Sequence, residues 1–153
     1  MHKLIDVNFT KEGFEKIKDE YQKLLEKRPQ VLTRLVAARE QGDLSENAGY
    51  HASKEELGKI DRRLRELKLL IRYGQVVEPQ TSDQVAVGNI VKVSSGADIS
   101  EFKIVGRLEA DPKSGKLSEV SPIGSALLGK KAGDEVKITI PDGKITFRIL
   151  EIK

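Results

Sequence analysis

The stretch FEKIKDEYQKLLEKRPQVLTRLVAAREQGDLSENAGYHASKEELGKIDRRLRELKLLI, residues 14–71, decides the fold. Its seam residues recur at alternating spacings of three and four: Phe14, Ile17, Tyr21 and Leu24, then Arg28, Val31, Leu35 and Ala38. A second set continues with Tyr50, Ser53, Leu57, Ile60, Leu64, Leu67 and Ile71. Such spacing is the seam of a coiled coil. With the chain folded back and the seams facing, Ala38 meets Tyr50, Leu35 meets Ser53, Val31 meets Leu57, Leu24 meets Leu64, Tyr21 meets Leu67 and Ile17 meets Ile71. All these pairs share one midpoint, so the seams specify an antiparallel helical hairpin that reverses at Leu44.

Local turn chemistry agrees with that reversal. Gly42 suits the left-handed residue that ends a helix, and Asp43 suits the N-cap of the next. Thr10 can cap the start of the first arm. Pro29 lies inside that arm and should kink it, while the heptad phase carries through, so the expectation is one continuous, kinked helix. About 30 residues per arm at roughly 1.5 Å each gives a rod on the order of 45 Å long. Two helices leave no room for a pocket, and the distinctive part of the rod is its tip.

Outward from the hairpin the texture changes. Residues 1–78 contain a single proline and are crowded with Lys, Glu, Arg, Leu and Gln, good helix formers. Residues 79–153 are rich in Val, Ile, Thr, Gly and Pro with alternating apolar positions, as in Val91 and Val93, then Val136, Ile138 and Ile140, which reads as strands. The polar stretch from Pro79 to Gln84 is the link. Pro141-Asp142-Gly143 before Ile145, Phe147 and Ile149 reads as a hairpin turn. Ser121-Pro122-Ile123-Gly124 ahead of Ala126-Leu127-Leu128 and Gly129 reads as a short helix starting near Ser121. The fold class is therefore α+β: a hairpin over residues 1–78 with its tip at 40–47, followed by a sheet domain over 79–153.

Composition limits the chemistry. The chain has 153 residues, 33% of them charged, no cysteine and two histidines, His2 and His51. Disulfides, thiolate nucleophiles and zinc centres built on Cys or paired His are excluded, which leaves carboxylates, hydroxyls and basic groups. The longest apolar run, residues 35–38, is too short for a bilayer, and the N-terminus has no signal-like apolar stretch, so a cytoplasmic protein without a membrane partner is expected. Lys and Arg outnumber Asp and Glu by 16 to 14 before Pro79 and by 11 to 10 after it, so neither half is a strongly basic module.

At the tip, Glu40, Asp43 and Glu46 crowd one reversal. Asp43 with Glu46 is the pattern of a capping box, which starts helices in many proteins. The same carboxylates can offer oxygen ligands to Mg²⁺, which usually takes only one or two from a protein and completes its shell with water and phosphate. Such a site is incomplete alone and works only when brought to a second ion and a phosphodiester. His51 as a general base and Tyr50 as a stacking ring are weaker candidates than a solvated histidine and a packed tyrosine.

The run Arg39-Glu40-Gln41-Gly42-Asp43-Leu44-Ser45-Glu46-Asn47-Ala48, followed by Tyr50-His51-Ala52, closely resembles the hairpin tip of the Gre family of bacterial transcript cleavage factors, and specifically its GreA branch. GreB relatives carry Arg at the position of Leu44. Ser121-Pro122-Ile123, Ala126-Leu127-Leu128-Gly129-Lys130 and Gly133-Asp134-Glu135-Val136 are similar to that family's C-terminal domain, which implies an FKBP-like antiparallel sheet with a short helix. The resemblance implies a transcription elongation factor that rescues backtracked, arrested bacterial RNA polymerase. The C-terminal domain would dock at the rim of the secondary channel through Ser121, Pro122 and Ile123, and the hairpin would enter the channel. Asp43 and Glu46 would help hold a shared Mg²⁺ in the polymerase active centre, with no metal held stably by the free protein. Ser45 and Asn47 would orient the tip or contact RNA, and Arg39 and Lys54 match a small basic patch near the extruded transcript. The chain would stimulate the polymerase's own cleavage of nascent RNA and would not itself be an enzyme. Nothing in the sequence argues for an oligomer, so a monomer is expected.

One position departs from the family pattern: Gly49 stands where an acidic residue is usual, which removes a charge and leaves open a relative that occupies the channel and inhibits without cleavage. A prolyl isomerase is the other alternative raised by the C-terminal pattern, but residues 79–153 hold no Tyr or Trp and only Phe102 and Phe147. A pure adaptor, its carboxylates merely capping, is the third.

Overall fold

The computed structural model describes residues 7–43, 46–78 and 83–153. Leu44, the expected point of reversal, and residues 79–82 of the expected link lie outside them. The chain forms two compact units, Phe14–Tyr73 and a second that joins residues 7–13 to Gly74–Lys153.

The first unit is the helical hairpin. Helix α1 spans Lys11–Arg39 and α2 spans Ala48–Tyr73. Helix α1 runs unbroken through Pro29, as the heptad phase requires. Every seam position is buried or half-buried, with Val31 and Leu67 at 0% exposure, Ile60 at 4% and Ser53 at 7%. Helices of this length owe most of their stability to such an apolar stripe rather than to propensity. Ion pairs flank the seam: Arg28 with Asp61 at 2.6 Å, Arg63 with Glu20 at 2.6 Å, and Glu56 with Lys27 at 3.1 Å and Arg34 at 3.0 Å. Each joins one helix to the other in the antiparallel order that the seam dictates.

The second unit is a five-stranded sheet in the order β5-β4-β3-β7-β6, with β3 at Ile90–Ser95, β4 at Asp98–Val105, β5 at Lys116–Ser118, β6 at Glu135–Ile140 and β7 at Gly143–Ile152. The sheet is mixed, which corrects the antiparallel expectation: β4 and β5 run parallel, Lys103 opposite Lys116 and Val105 opposite Ser118. Strand β5 has three residues, too few to show a period, and the segment 106–115 before it is long enough to carry the chain back past β4 instead of turning a hairpin. The predicted turn at Pro141-Asp142-Gly143 joins β6 to β7, with Gly143 at φ +134°. Helix α3, Pro122–Leu127, lies against β5 and β6, and Leu127 is fully buried in a core with Val91, Val93, Ile104, Ile138, Phe147 and Ile149.

The compact units divide differently from the expected break after residue 78. Strand β1, Asn8–Phe9, pairs in parallel with β2, Gln75–Val76, and Val7 and Phe9 are buried at 2% and 0% exposure. Three polar contacts fasten this segment to the sheet unit. Asn8 Nδ2 donates to the Glu119 carboxylate at 3.0 Å, Thr10 N–H donates to Glu109 at 2.7 Å, and the Thr10 hydroxyl donates to the same carboxylate. Thr10 also caps α1 as expected, its Oγ accepting from the Gly13 amide at 3.1 Å. A side chain at Gly106 is excluded by this arrangement, since a Cβ there would sit 1.7 Å from the Asn8 carbonyl oxygen. Among the described residues no helix is long and apolar enough to cross a membrane.

Two outcomes follow from these contacts. Gly106→Ala must push β1 away from the sheet and is expected to lower the stability of that unit by about 1–3 kcal/mol, as overpacked sites do, measurable by denaturant titration. Hydrogen bonds from Arg63, Lys27 and Arg28 hold the carboxyls of Glu20, Glu56 and Asp61, respectively, below their ordinary range. A depressed folded pKa stabilises above the unfolded value of about 4 and is lost as pH falls through the folded one. Helix melting followed by circular dichroism should therefore be flat from about pH 7 to 5 and fall below about 4, modestly because the pairs are solvent-screened. Asp61→Asn or Glu20→Gln should flatten that acid limb.

Candidate functional site

The reversal of the hairpin is built from two helix ends. Helix α1 finishes at Arg39, after which Glu40 N–H reaches the Val36 carbonyl and Gln41 N–H the Ala38 carbonyl, each at 3.2 Å. Gly42 follows at φ +119°, a conformation that glycine adopts without strain. Helix α2 begins at Ala48, and its N-cap is Asn47: the side-chain Oδ1 accepts from the Tyr50 amide at 3.0 Å. The expected cap at Asp43 is thereby corrected. Asp43 lies four residues before that cap, and it is Asn47 that takes the Tyr50 amide. Asn47 does more than an acid could, because its Nδ2 also donates to the Ala38 carbonyl at 2.6 Å. That carbonyl, in the last turn of α1, thus accepts twice, from the Gln41 amide and from Asn47.

The charges of the hairpin are divided. Every carboxylate in α2 has a basic partner: Glu55 pairs with Lys59 at 3.1 Å, Glu56 with Lys27 and Arg34, Asp61 with Arg28, and Glu66 with Arg63 at 3.2 Å. Arg62 and Lys68 remain without an acidic partner among the described residues, and Arg65 only shares Asp61 with Arg28, which leaves α2 basic on its exposed side. At the reversal the sign changes. Glu40, Asp43 and Glu46 are all exposed, and neither Glu40 nor Glu46 has a basic partner among the described residues. Among the described residues no three acidic or imidazole side chains converge on one point. The donors at the reversal are oxygens only, and two carboxylates suit Mg²⁺, which seldom asks more of a protein.

The other expected site residues fall as follows. Ser45 lies outside the described residues. Arg39 is exposed as the last residue of α1, and Lys54 is exposed on α2 with its ammonium 5.9 Å from the Tyr50 ring centre. Tyr50 is half-buried in the seam, as packing predicts, and meets the exposed His51 ring edge to face at 5.4 Å. In the sheet unit, the Ser121 hydroxyl is committed to its own corner, accepting from the Gly124 amide at 3.1 Å and donating to the Ser118 carbonyl at 2.7 Å. Ile123 packs half-buried against the core, so Pro122 is the exposed member of that trio. Val120 beside them is 67% exposed, a surface residue that strand and helix patterns do not single out. Phe102 and Phe147 pack edge to face with centres 6.0 Å apart, and Phe147 belongs to the core. Their rings fill the interior instead of lining a proline pocket.

Residues 7–76 match the family described as transcription elongation factor, N-terminal, and residues 80–153 match transcription elongation factor, GreA/GreB, C-term. The chain is 42% identical over 147 residues to transcription elongation factor GreA of a Nitratiruptor species, covering 94% of this chain and 90% of that one. It is 43% identical over 148 residues to transcription elongation factor GreA of Lactococcus lactis subsp. cremoris, covering 94% and 95%. Among solved structures, the GreA factor homolog 1 (Gfh1) protein of Thermus thermophilus is similar at 25% identity, with a TM-score of 0.45 and coverage of 97% and 99%.

Gly49 occupies the second position of α2, where a Cβ would make ordinary contacts, 3.5 Å from Asn47 Oδ1 and 3.9 Å from the Ala38 Cβ. Nothing in the packing requires glycine there. Gly49→Ala should raise hairpin stability by up to about 1 kcal/mol, and Gly49→Glu should add a favourable charge at the helix N-terminus, both read from thermal melts.

Proposed function

The chain belongs to the GreA/GreB family of transcription elongation factors, and on that premise we propose that it rescues backtracked bacterial RNA polymerase by lending two carboxylates to the polymerase's own RNA cleavage. The hairpin enters the secondary channel, and the sheet unit docks at the channel rim through the surface around Pro122, with Ser121 and Ile123 shaping the corner behind it. Asp43 and Glu46 meet the polymerase active centre and the backtracked transcript. Arg39 and Lys54 lie on either side of the reversal and face the phosphates of the extruded RNA.

The observation that carries this reading is the charge division of the hairpin. All four acids of α2 are paired with basic neighbours, whereas Glu40 and Glu46 beside the reversal are exposed with no basic partner among the described residues. The exposed carboxylates of the reversal are gathered where α2 has already been capped by Asn47. Mg²⁺ bound in the polymerase supplies charge neutralisation at the phosphodiester and a water of lowered pKa. Asp43 and Glu46 are the residues of this chain that would hold it, and they also accept hydrogen bonds from water and so orient a nucleophile. The catalyst in this scheme is the polymerase, and the chain is a part delivered to it.

The test is transcript cleavage in a stalled, backtracked bacterial elongation complex with Mg²⁺. The parent chain should release short 3′ RNA fragments, and Asp43→Asn or Glu46→Gln should each slow release by more than the roughly 10–100-fold that losing an outer-shell partner of a metal ligand costs, while polymerase binding is kept. Fragment release by the double variant at the parent's rate would reduce the tip to an adaptor. Tight binding by the parent with no fragments would favour an inhibitory relative, the reading that Gly49 raises.

A further inference from the structure

We propose that Asn47 is a positioning residue of the cleavage reaction, acting through its side-chain nitrogen. This rests on the reading of Asp43 and Glu46 given above. A helix start needs only an oxygen at the N-cap, and Asp or Ser serves there as well as Asn. Negative charge at a helix N-terminus is if anything favoured. The cap therefore does not explain an amide at position 47. The second contact does: Nδ2 donates to the Ala38 carbonyl at 2.6 Å while Oδ1 accepts from the Tyr50 amide at 3.0 Å. One half-buried side chain thus ties the last turn of α1 to the first turn of α2.

The segment closed by this strap holds Asp43 and Glu46. The strap joins Ala38 and Tyr50, the seam residues that flank this segment on either side. Carboxylates that must meet a metal and a phosphodiester held by another protein gain rate only if they arrive in the productive geometry, and a misplacement of about 1 Å costs on the order of 100-fold. Asn47 itself touches neither metal nor RNA in this scheme, because its amide nitrogen is already committed to Ala38. Its action is to fix the two ends of the acidic segment.

Three variants separate the strap from the cap. Asn47→Ser and Asn47→Asp keep an oxygen for the Tyr50 amide and lose the donor to Ala38, one without charge and one with it. Asn47→Ala loses both contacts. Each is compared with the parent and with the Asp43→Asn, Glu46→Gln double variant for transcript cleavage, Mg²⁺ dependence, polymerase affinity by competition with labelled parent, and helix melting. The expected result is that the Ser and Asp variants melt within a few degrees of the parent and bind polymerase equally well. Their cleavage at saturating factor should nevertheless fall by about 10–100-fold, with half-maximal cleavage shifted to higher Mg²⁺. Cleavage by both within twofold of the parent, with unchanged Mg²⁺ dependence, would overturn the proposal. So would a loss matched by an equal loss of polymerase affinity or of helix, which makes Asn47 a folding residue only. If the double variant cleaves like the parent, the acidic-tip reading fails instead, and the strap has nothing to position.

Discussion

The packing of one helical seam against the other is the contact on which the hairpin depends. Each of α1 and α2 carries one narrow apolar stripe and buries it against its partner. Val31, Ile60 and Leu67 form its driest points, with Arg28 reaching out of the middle of the seam to Asp61. A polar residue at one seam position weakens a coiled coil while discriminating against shifted registers. Register matters here because it decides which residues sit at the reversal. A slip of one heptad would move the Asp43 to Glu46 segment off the end of the hairpin and onto its side.

Around this seam the charges are arranged so that the body and the end of the hairpin differ in sign. Ion pairs on the body are solvent-exposed and contribute little individually to stability. Their larger effect is to use up the acids of α2, so that what remains exposed along that helix is basic. The carboxylates at the reversal stay at the surface, where something outside the chain can reach them. A small protein without a pocket can in this way take part in phosphodiester chemistry, provided that the pocket belongs to its partner.

In the sheet unit a few contacts tie residues 8–10 to Gln75, Val76, Glu109 and Glu119. Glu109 holds Thr10 by its amide and hydroxyl, and Thr10 in turn caps α1. Elsewhere in that unit, Gly124 approaches the Ser118 carbonyl so closely that a Cβ would lie 1.9 Å from it, which holds the start of α3 against β5. The hydroxyl of Ser121 is absorbed by that corner, leaving Pro122 and Val120 as its outward face.

The sequence by itself determined the hairpin, its register, the acidic character of its reversal and the strand content of the second half. These follow from periodicities of 3.5 and 2 residues, which need only a side chain's own polarity to be read. Thr10, Ser121, the Pro141-Asp142-Gly143 turn and the continuity of α1 through Pro29 were legible for the same reason, since each is a local rule. What the tertiary structure decided is wherever one side chain serves two distant backbones. Asp43 had a better sequence claim to the cap than Asn47, but only Asn47 can both accept from Tyr50 and donate to Ala38 once the helices are folded together. The parallel β4–β5 pair and the docking of Val7 and Phe9 beside β2 are likewise non-local, between segments too short to carry a period. Polarity patterns are written along the chain, whereas a hydrogen bond across a reversal exists only after packing has brought its two ends together.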